Sequence, residues 1–173
     1  MKKLQIFLFV CGFISCSSIA NPPELPPNAN DSVPLFDSVV TAAIGDSICD
    51  IISTAKTVNA EILGFKDSSF VAVENKQLTK EQIAILDFLL DNPVNVASND
   101  TTFGRFMPNI SFRFISKRKE IYVELDFGLR KWKVKDVNGQ VLKEFDLKSP
   151  EFLRFARTVF PNDEFINLML NQQ

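Results

Sequence analysis

Residues 110–125 read Ile110-Ser111-Phe112-Arg113-Phe114-Ile115-Ser116-Lys117-Arg118-Lys119-Glu120-Ile121-Tyr122-Val123-Glu124-Leu125. Apolar residues fall at every second position, first at Ile110, Phe112 and Phe114, then at Ile121, Val123 and Leu125. A period of two puts each set on one face of an extended strand. If Ser116-Lys117-Arg118-Lys119 is a four-residue loop, Phe114 faces Ile121, Phe112 faces Val123 and Ile110 faces Leu125. Both apolar sets then share one side, which is the register that an antiparallel pair with one buried face requires.

Outward from this hairpin, the pattern predicts a third strand over Lys131 to Lys135. Asn138-Gly139 marks a two-residue turn into a fourth, Val141 to Phe145. Upstream, Val58 to Leu63 and Phe70 to Val73 read as short strands. A helix is expected over 38–53, where Val40, Ile44, Ile48, Ile51 and Ile52 recur at helical spacing and Asp37 or Ser38 can cap the start; Gly45 weakens it. The clearest helix is 79–91. Thr79-Lys80-Glu81-Gln82 is a capping box, Ile83, Leu86, Leu89 and Leu90 form the apolar face, and Pro93 marks the end. Ser149-Pro150-Glu151 starts another helix, with Phe152, Ala156, Val159 and Phe160 as its stripe. After Pro161, Asn162-Asp163-Glu164 starts a last short one carrying Phe165, Leu168 and Met169. The expected fold is α+β, an antiparallel sheet of about four to six strands packed with about three to four helices.

The N-terminus has a different character. Met1-Lys2-Lys3 precedes a mostly apolar run from Leu4 to Ile14, the charge and length pattern of a secretory signal over residues 1–20. The run is too short for a membrane span, which needs about 20 apolar residues. Two cleavage positions compete. Phe13-Ile14-Ser15-Cys16 resembles a bacterial lipobox, with Phe13 where Leu is usual, and would leave Cys16 as a lipidated N-terminus. Ordinary cleavage after Ala20 is the alternative. Residues 17–34 contain Pro22, Pro23, Pro26, Pro27 and Pro34, which favour extended polyproline geometry, and 21–34 would span roughly 40 Å as a tether. A single domain is then expected over 35–173. The expected location is the cell envelope, periplasmic or on the outer membrane through a lipid anchor, with a secreted soluble form as the alternative.

Composition closes several chemistries. The 19 bases less Lys2 and Lys3 leave 17 against 21 acids, a net of −4 after processing. That balance argues against a nucleic-acid partner. The chain has no His, which removes His-based acid–base catalysis, Ser-His-Asp triads and His-ligated metals. Beyond Cys16 the only cysteine is Cys49, so no intrachain disulfide is expected in the domain. No catalytic residue, metal site or cofactor is expected.

Bases concentrate between Arg105 and Lys135, where nine of them accompany only Glu120, Glu124 and Asp126, a local net of +6. Lys131, Lys133 and Lys135 alternate, so a strand projects them on one face. The chain's only Tyr and Trp, Tyr122 and Trp132, fall in the same region. Arg113, Tyr122, Arg130, Lys131, Trp132, Lys133 and Lys135 are therefore the candidate partner surface, suited to an anionic envelope component or a protein. In the competing reading the lysines pair across strands with Glu124 and Asp126, and Trp132 is core.

The expected function is a non-enzymatic, lipid-anchored binding or interaction module. The alternative is a cryptic enzyme using carboxylates, Asp46 with Asp50 or Asp163 with Glu164, or the thiol of Cys49. By helical projection that thiol lies away from the centre of the 40/44/48/51 stripe. Asn30, Asn99 and Asn109 occupy N-x-S/T triplets.

Three segments, Arg105 to Phe114, Leu125 to Val134 and Phe152 to Glu164, resemble a pattern in a family of uncharacterised exported bacterial proteins. That family carries Cys three residues before the Pro that aligns with Pro108, and a Cys-Phe-x-Cys in the later strand. The corresponding positions here are Arg105, Asp126 and Leu129, so any metal or redox chemistry of those cysteines is absent from this chain. The resemblance implies export and no known activity.

Overall fold

The computed structural model describes residues 36–97, 104–117 and 119–172. The signal-like residues 1–20, Cys16, the Pro-rich stretch 17–34, Asn30, Asn99 and Arg118 lie outside the described residues. Six strands, β1 (Thr57–Lys66), β2 (Ser69–Gln77), β3 (Ile110–Ser116), β4 (Lys119–Asp126), β5 (Lys131–Asp136) and β6 (Val141–Asp146), make one antiparallel sheet in the order β2-β1-β3-β4-β5-β6. Five helices accompany it: α1 (Ser38–Ile44), α2 (Asp46–Thr54), α3 (Lys80–Leu90), α4 (Glu151–Val159) and α5 (Glu164–Leu170). A 3-10 turn covers Pro93–Val96. The chain is α+β, as its patterning implies.

The register of β3 and β4 is the one the alternation requires: Phe114 opposes Ile121, Phe112 opposes Val123 and Ile110 opposes Leu125. All six are buried. Ser116 and Lys119 pair as well, so the loop is shorter than four residues, and Lys117 takes a left-handed φ of 55°. One more closing pair leaves every other partner unchanged. The apolar face continues through Val58 and Ala60 on one side and through Trp132, Val134 and Phe145 on the other. Ile48 and Ile52 of α2, Leu86 and Leu90 of α3, and Phe152 and Phe155 of α4 complete the core. The rings of Phe155 and Phe112 lie 5.8 Å apart, which seats α4 on the middle of the sheet. Each such side chain contributes about 1.5–3 kcal/mol by leaving water.

The first helical segment is two helices, not one. Gly45 adopts φ 101°, a conformation open to glycine, and separates α1 from α2. This split raises the helix count to five. The capping box of α3 is present, with Gln82 N–H donating to the Thr79 hydroxyl and Thr79 N–H to the Gln82 side chain. The turn between β5 and β6 differs from a two-residue Asn-Gly turn. Gly139 alone takes a left-handed φ of 78°, and the Asp136 carboxylate accepts the N–H groups of Asn138 and Gln140, so the loop is Val137-Asn138-Gly139. On α5 the burial is reversed from expectation: Ile166 is buried, Met169 is half-buried, and Phe165 and Leu168 are exposed.

Candidate functional site

The second face of the sheet is polar, and its charges are matched. Lys131, Lys133 and Lys135 do share one face of β5, but they do not stand free in water. Lys133 Nζ lies 2.8 Å from Glu144, Lys135 Nζ lies 2.6 Å from Glu124, and Lys131 Nζ lies 3.4 Å from Glu144 and 3.6 Å from Asp146. The partners are Glu144 and Asp146 of β6 and Glu124 of β4, so Asp126 is not among them. The lysines keep between 11% and 22% of their side-chain exposure. Part of the cover is the Phe106 ring, 4.5 Å from the Lys133 ammonium and 5.8 Å from that of Lys135. They form a structural ion-pair ladder and not an open docking face.

Trp132 corrects the expected platform more sharply. Its relative exposure is 0%, its ring packs on Phe145 at 4.7 Å, and its indole N–H donates to the Asn95 main-chain oxygen. It points to the apolar side because β5 alternates Lys131-Trp132-Lys133, and one parity must face the core. Arg113 and Tyr122 also serve the fold. Arg113 makes a two-point contact with Glu120 at 2.7 and 2.9 Å, and the Tyr122 hydroxyl donates to the same carboxylate. The Arg113 hydrogen bond holds the Glu120 carboxyl below its ordinary range. Burial, and then the bond to Glu120, push the Tyr122 phenol up to about 12.

Arg130 stands apart from the other six candidates. It ends the turn from Asp126 to Lys131 with a left-handed φ of 56°, and its main-chain oxygen accepts the N–H of Leu147 at 2.7 Å. That bond joins the β4–β5 turn to the connection from β6 into α4. Between them opens a cleft of about 510 Å³ whose rim carries Arg130, Lys148 and Arg154. Phe127, Leu147 and Leu153 are buried beneath it, and Met169 of α5 closes one side. No acid lines it. Arg154 pairs with Glu151 at 2.6 Å, whereas Arg130 and Lys148 make no ion pair among the described residues.

No family model, curated protein or solved structure matches this chain.

The carboxylate and thiol alternatives gain nothing from their placement. Asp46 and Asp50 are exposed on α2, and Asp163 caps α5 through the Ile166 N–H. Cys49 is buried at 6% exposure, contrary to the projection that set it apart from the core. The buried side of α2 is broader than that stripe, so Cys49 is covered together with Ile48, Ile51 and Ile52. Burial foremost pushes its thiol pKa up, the opposite of nucleophile activation. Among the described residues there is no cluster of three or more metal-ligating side chains, and no helix is long and apolar enough to cross a membrane.

Of these three cations, sequence reasoning named Arg130 as a candidate and did not name Lys148 or Arg154. These two flank the helix start Ser149-Pro150-Glu151, and in sequence they look like an ordinary solvated helix N-terminus. Only the sheet order β4-β5-β6 carries the Arg130 turn to their side.

Proposed function

We propose that this chain is an exported binding module of the cell envelope, tethered through a lipid on Cys16, that holds an anionic envelope component in the Arg130–Lys148–Arg154 cleft and does no chemistry on it. One observation carries the reading: three cations, Arg130, Lys148 and Arg154, from a turn, a connection and a helix, line one cleft with no acid among its described lining residues, while Lys131, Lys133 and Lys135 of β5 are already paired. Convergent polar groups over an apolar pocket are the usual signature of a small-molecule site. The signal-like N-terminus and the Pro-rich stretch support export and tethering.

Two measurements test the parts separately. A fatty-acid analogue fed to cells should label the parent chain and not Cys16→Ser, and a mature N-terminus at Asn21 would remove the anchor from the proposal. Native mass spectrometry of the mature chain, gently extracted from its own envelope, should show an anionic small-molecule adduct that Arg130→Gly with Lys148→Gln loses. A bare mass for the parent as well would remove the cleft.

A further inference from the structure

We infer that the outer face of α3, with the start of α1 and the 3-10 turn beside it, is a docking surface for a basic amphipathic helix of another protein. Phe88 is 74% exposed, more than any other large apolar side chain among the described residues. Ile85, one turn before it, is half-exposed, and Ala84 is exposed between them. These three lie on the side of α3 away from Leu86 and Leu90, which fill the core. The helix thus carries a second apolar stripe that no described element covers. The patch continues past the helix. The Asp37 N–H donates to the Asp91 carboxylate at 2.5 Å, which seats the start of α1 against the end of α3, and α1 also packs against the 3-10 turn. Val39 and Val94, both more than half exposed, lie two and three residues from that bond. A single exposed apolar residue is ordinary, whereas four drawn to one junction are the pattern of a protein contact.

Charge identifies the occupant. Residues 36–55 and 81–97, which supply α1, α2, most of α3 and the 3-10 turn, hold Asp37, Asp46, Asp50, Glu81, Asp87 and Asp91 and no base. None of these six acids makes an ion pair among the described residues, whereas Glu120, Glu124 and Glu144 on the sheet are each paired. An apolar stripe beside unpaired carboxylates is complementary to an apolar stripe flanked by Lys or Arg. Other occupants fit worse. An anionic membrane surface attracts helices with basic flanks and repels this one. The chain's own residues 21–34 contain Glu24 and Asp31 and no base. A second copy docked about a two-fold axis would bring the same acids to the same patch. The surface shares no residue with the Arg130 cleft, so either can fail without the other.

The test is fluorescence anisotropy of the full mature chain with three labelled, monomeric peptides of about 18 residues, long enough to form a helix on a surface. One is Leu and Lys patterned as an amphipathic helix, one has the same composition in scrambled order, and one has the first pattern with Glu in place of Lys. The patterned Leu–Lys peptide should bind at least about ten-fold more tightly than either of the others, and more weakly as salt rises. Phe88→Ser should weaken that binding about ten-fold and leave the thermal midpoint unchanged, because the ring already stands in water. Asp91→Asn should weaken it too, while keeping an acceptor for the Asp37 N–H. Equal binding of the scrambled peptide, binding that Phe88→Ser leaves unchanged, or binding of none of the three overturns the helix dock. Phe88-dependent flotation with anionic vesicles would assign the face to lipid, and Phe88-dependent dimerisation in sedimentation would assign it to a second copy; each overturns it as well.

Discussion

The Trp132 indole N–H donates to the main-chain oxygen of Asn95 at 2.7 Å, and both residues are fully buried. Asn95 is more than an acceptor. Its side-chain amide donates to the Leu89 carbonyl at 2.9 Å, and its side-chain oxygen accepts the Ser149 N–H at 3.2 Å. One side chain thus ties the end of α3 to the segment that begins α4, while the main chain beside it holds β5. Ser149 lines the cleft, so this buried node also positions the cleft wall.

Asn95→Ala should therefore be among the most damaging single substitutions in the domain. It leaves the buried Leu89 carbonyl without its partner, at about 1–3 kcal/mol, and frees the Ser149 N–H at the part-buried cleft wall at a smaller cost. Trp132→Phe leaves one orphaned carbonyl and a modest void, for about 2–3 kcal/mol. Urea unfolding of the full chain should rank Asn95→Ala at or above Trp132→Phe. The reverse order would mean that ring packing outweighs the node.

Changing Lys131, Lys133 and Lys135 together to Glu should unfold the chain or cost at least about 3 kcal/mol, because it faces Glu124, Glu144 and Asp146 with new like charges on a half-covered surface. Lys133→Gln alone should cost about 1 kcal/mol, since its ammonium contacts both Glu144 and the Phe106 ring. Denaturant midpoints decide this. A triple variant as stable as the parent would show that the ladder contributes nothing to folding, and would return the lysines to candidacy as a partner surface.

The sheet was legible because its information is local and periodic. The alternation around Phe112 and Val123 sets the register, and any one-residue slip would expose six buried side chains. The helix ends were legible for the same reason, since Thr79 and Gln82 lie within one turn. The lysines of β5 misled because period two says that they share a face and nothing about what covers it. Their partners Glu144 and Asp146 lie eleven or more residues away, and Phe106 reaches them from a separate connection. Cys49 misled because helical projection gives the centre of an apolar stripe and not how wide a face the neighbouring elements cover. The cleft was invisible for the most general reason: its cations come from a turn, a connection and a helix that only the folded sheet brings together.

Cys49 should be nearly inert to aqueous thiol reagents in the folded chain. Burial is the main cause of its raised pKa, the charges of Asp46 and Asp91 add to it, and the hydrogen bond with Thr41 opposes. The labelling that Cys49→Ala abolishes should appear only on the timescale of unfolding, and should become fast in denaturant. Fast labelling at neutral pH without denaturant would contradict the burial and reopen a role for the thiol.

Asp87 on α3 gives a pH dependence with a definite sign. Burial alone pushes its carboxyl up to about 6 from an ordinary value of 3.8, and its Oδ1 is buried without a hydrogen-bond partner. Between those two values the folded chain holds a proton that the unfolded chain has released. Stability from this group is therefore present at low pH and is lost as pH rises through about 6. The full shift would correspond to nearly 3 kcal/mol, but the residue is only half-buried, and solvent screening reduces this to about 1 kcal/mol. Glu120 and Glu144, held below their ordinary range by Arg113 and Lys133, act in the opposite direction, so the parent's own pH profile mixes both. The difference between parent and Asp87→Asn isolates the effect. The variant keeps the shape and loses the charge, so it should be more stable by about 1 kcal/mol at pH 8, with the gap closing as pH falls through about 6. Urea midpoints across that range measure it. A constant gap, or a variant less stable than the parent at pH 8, would show that Asp87 is ionised without cost and is serving a partner in its charged form.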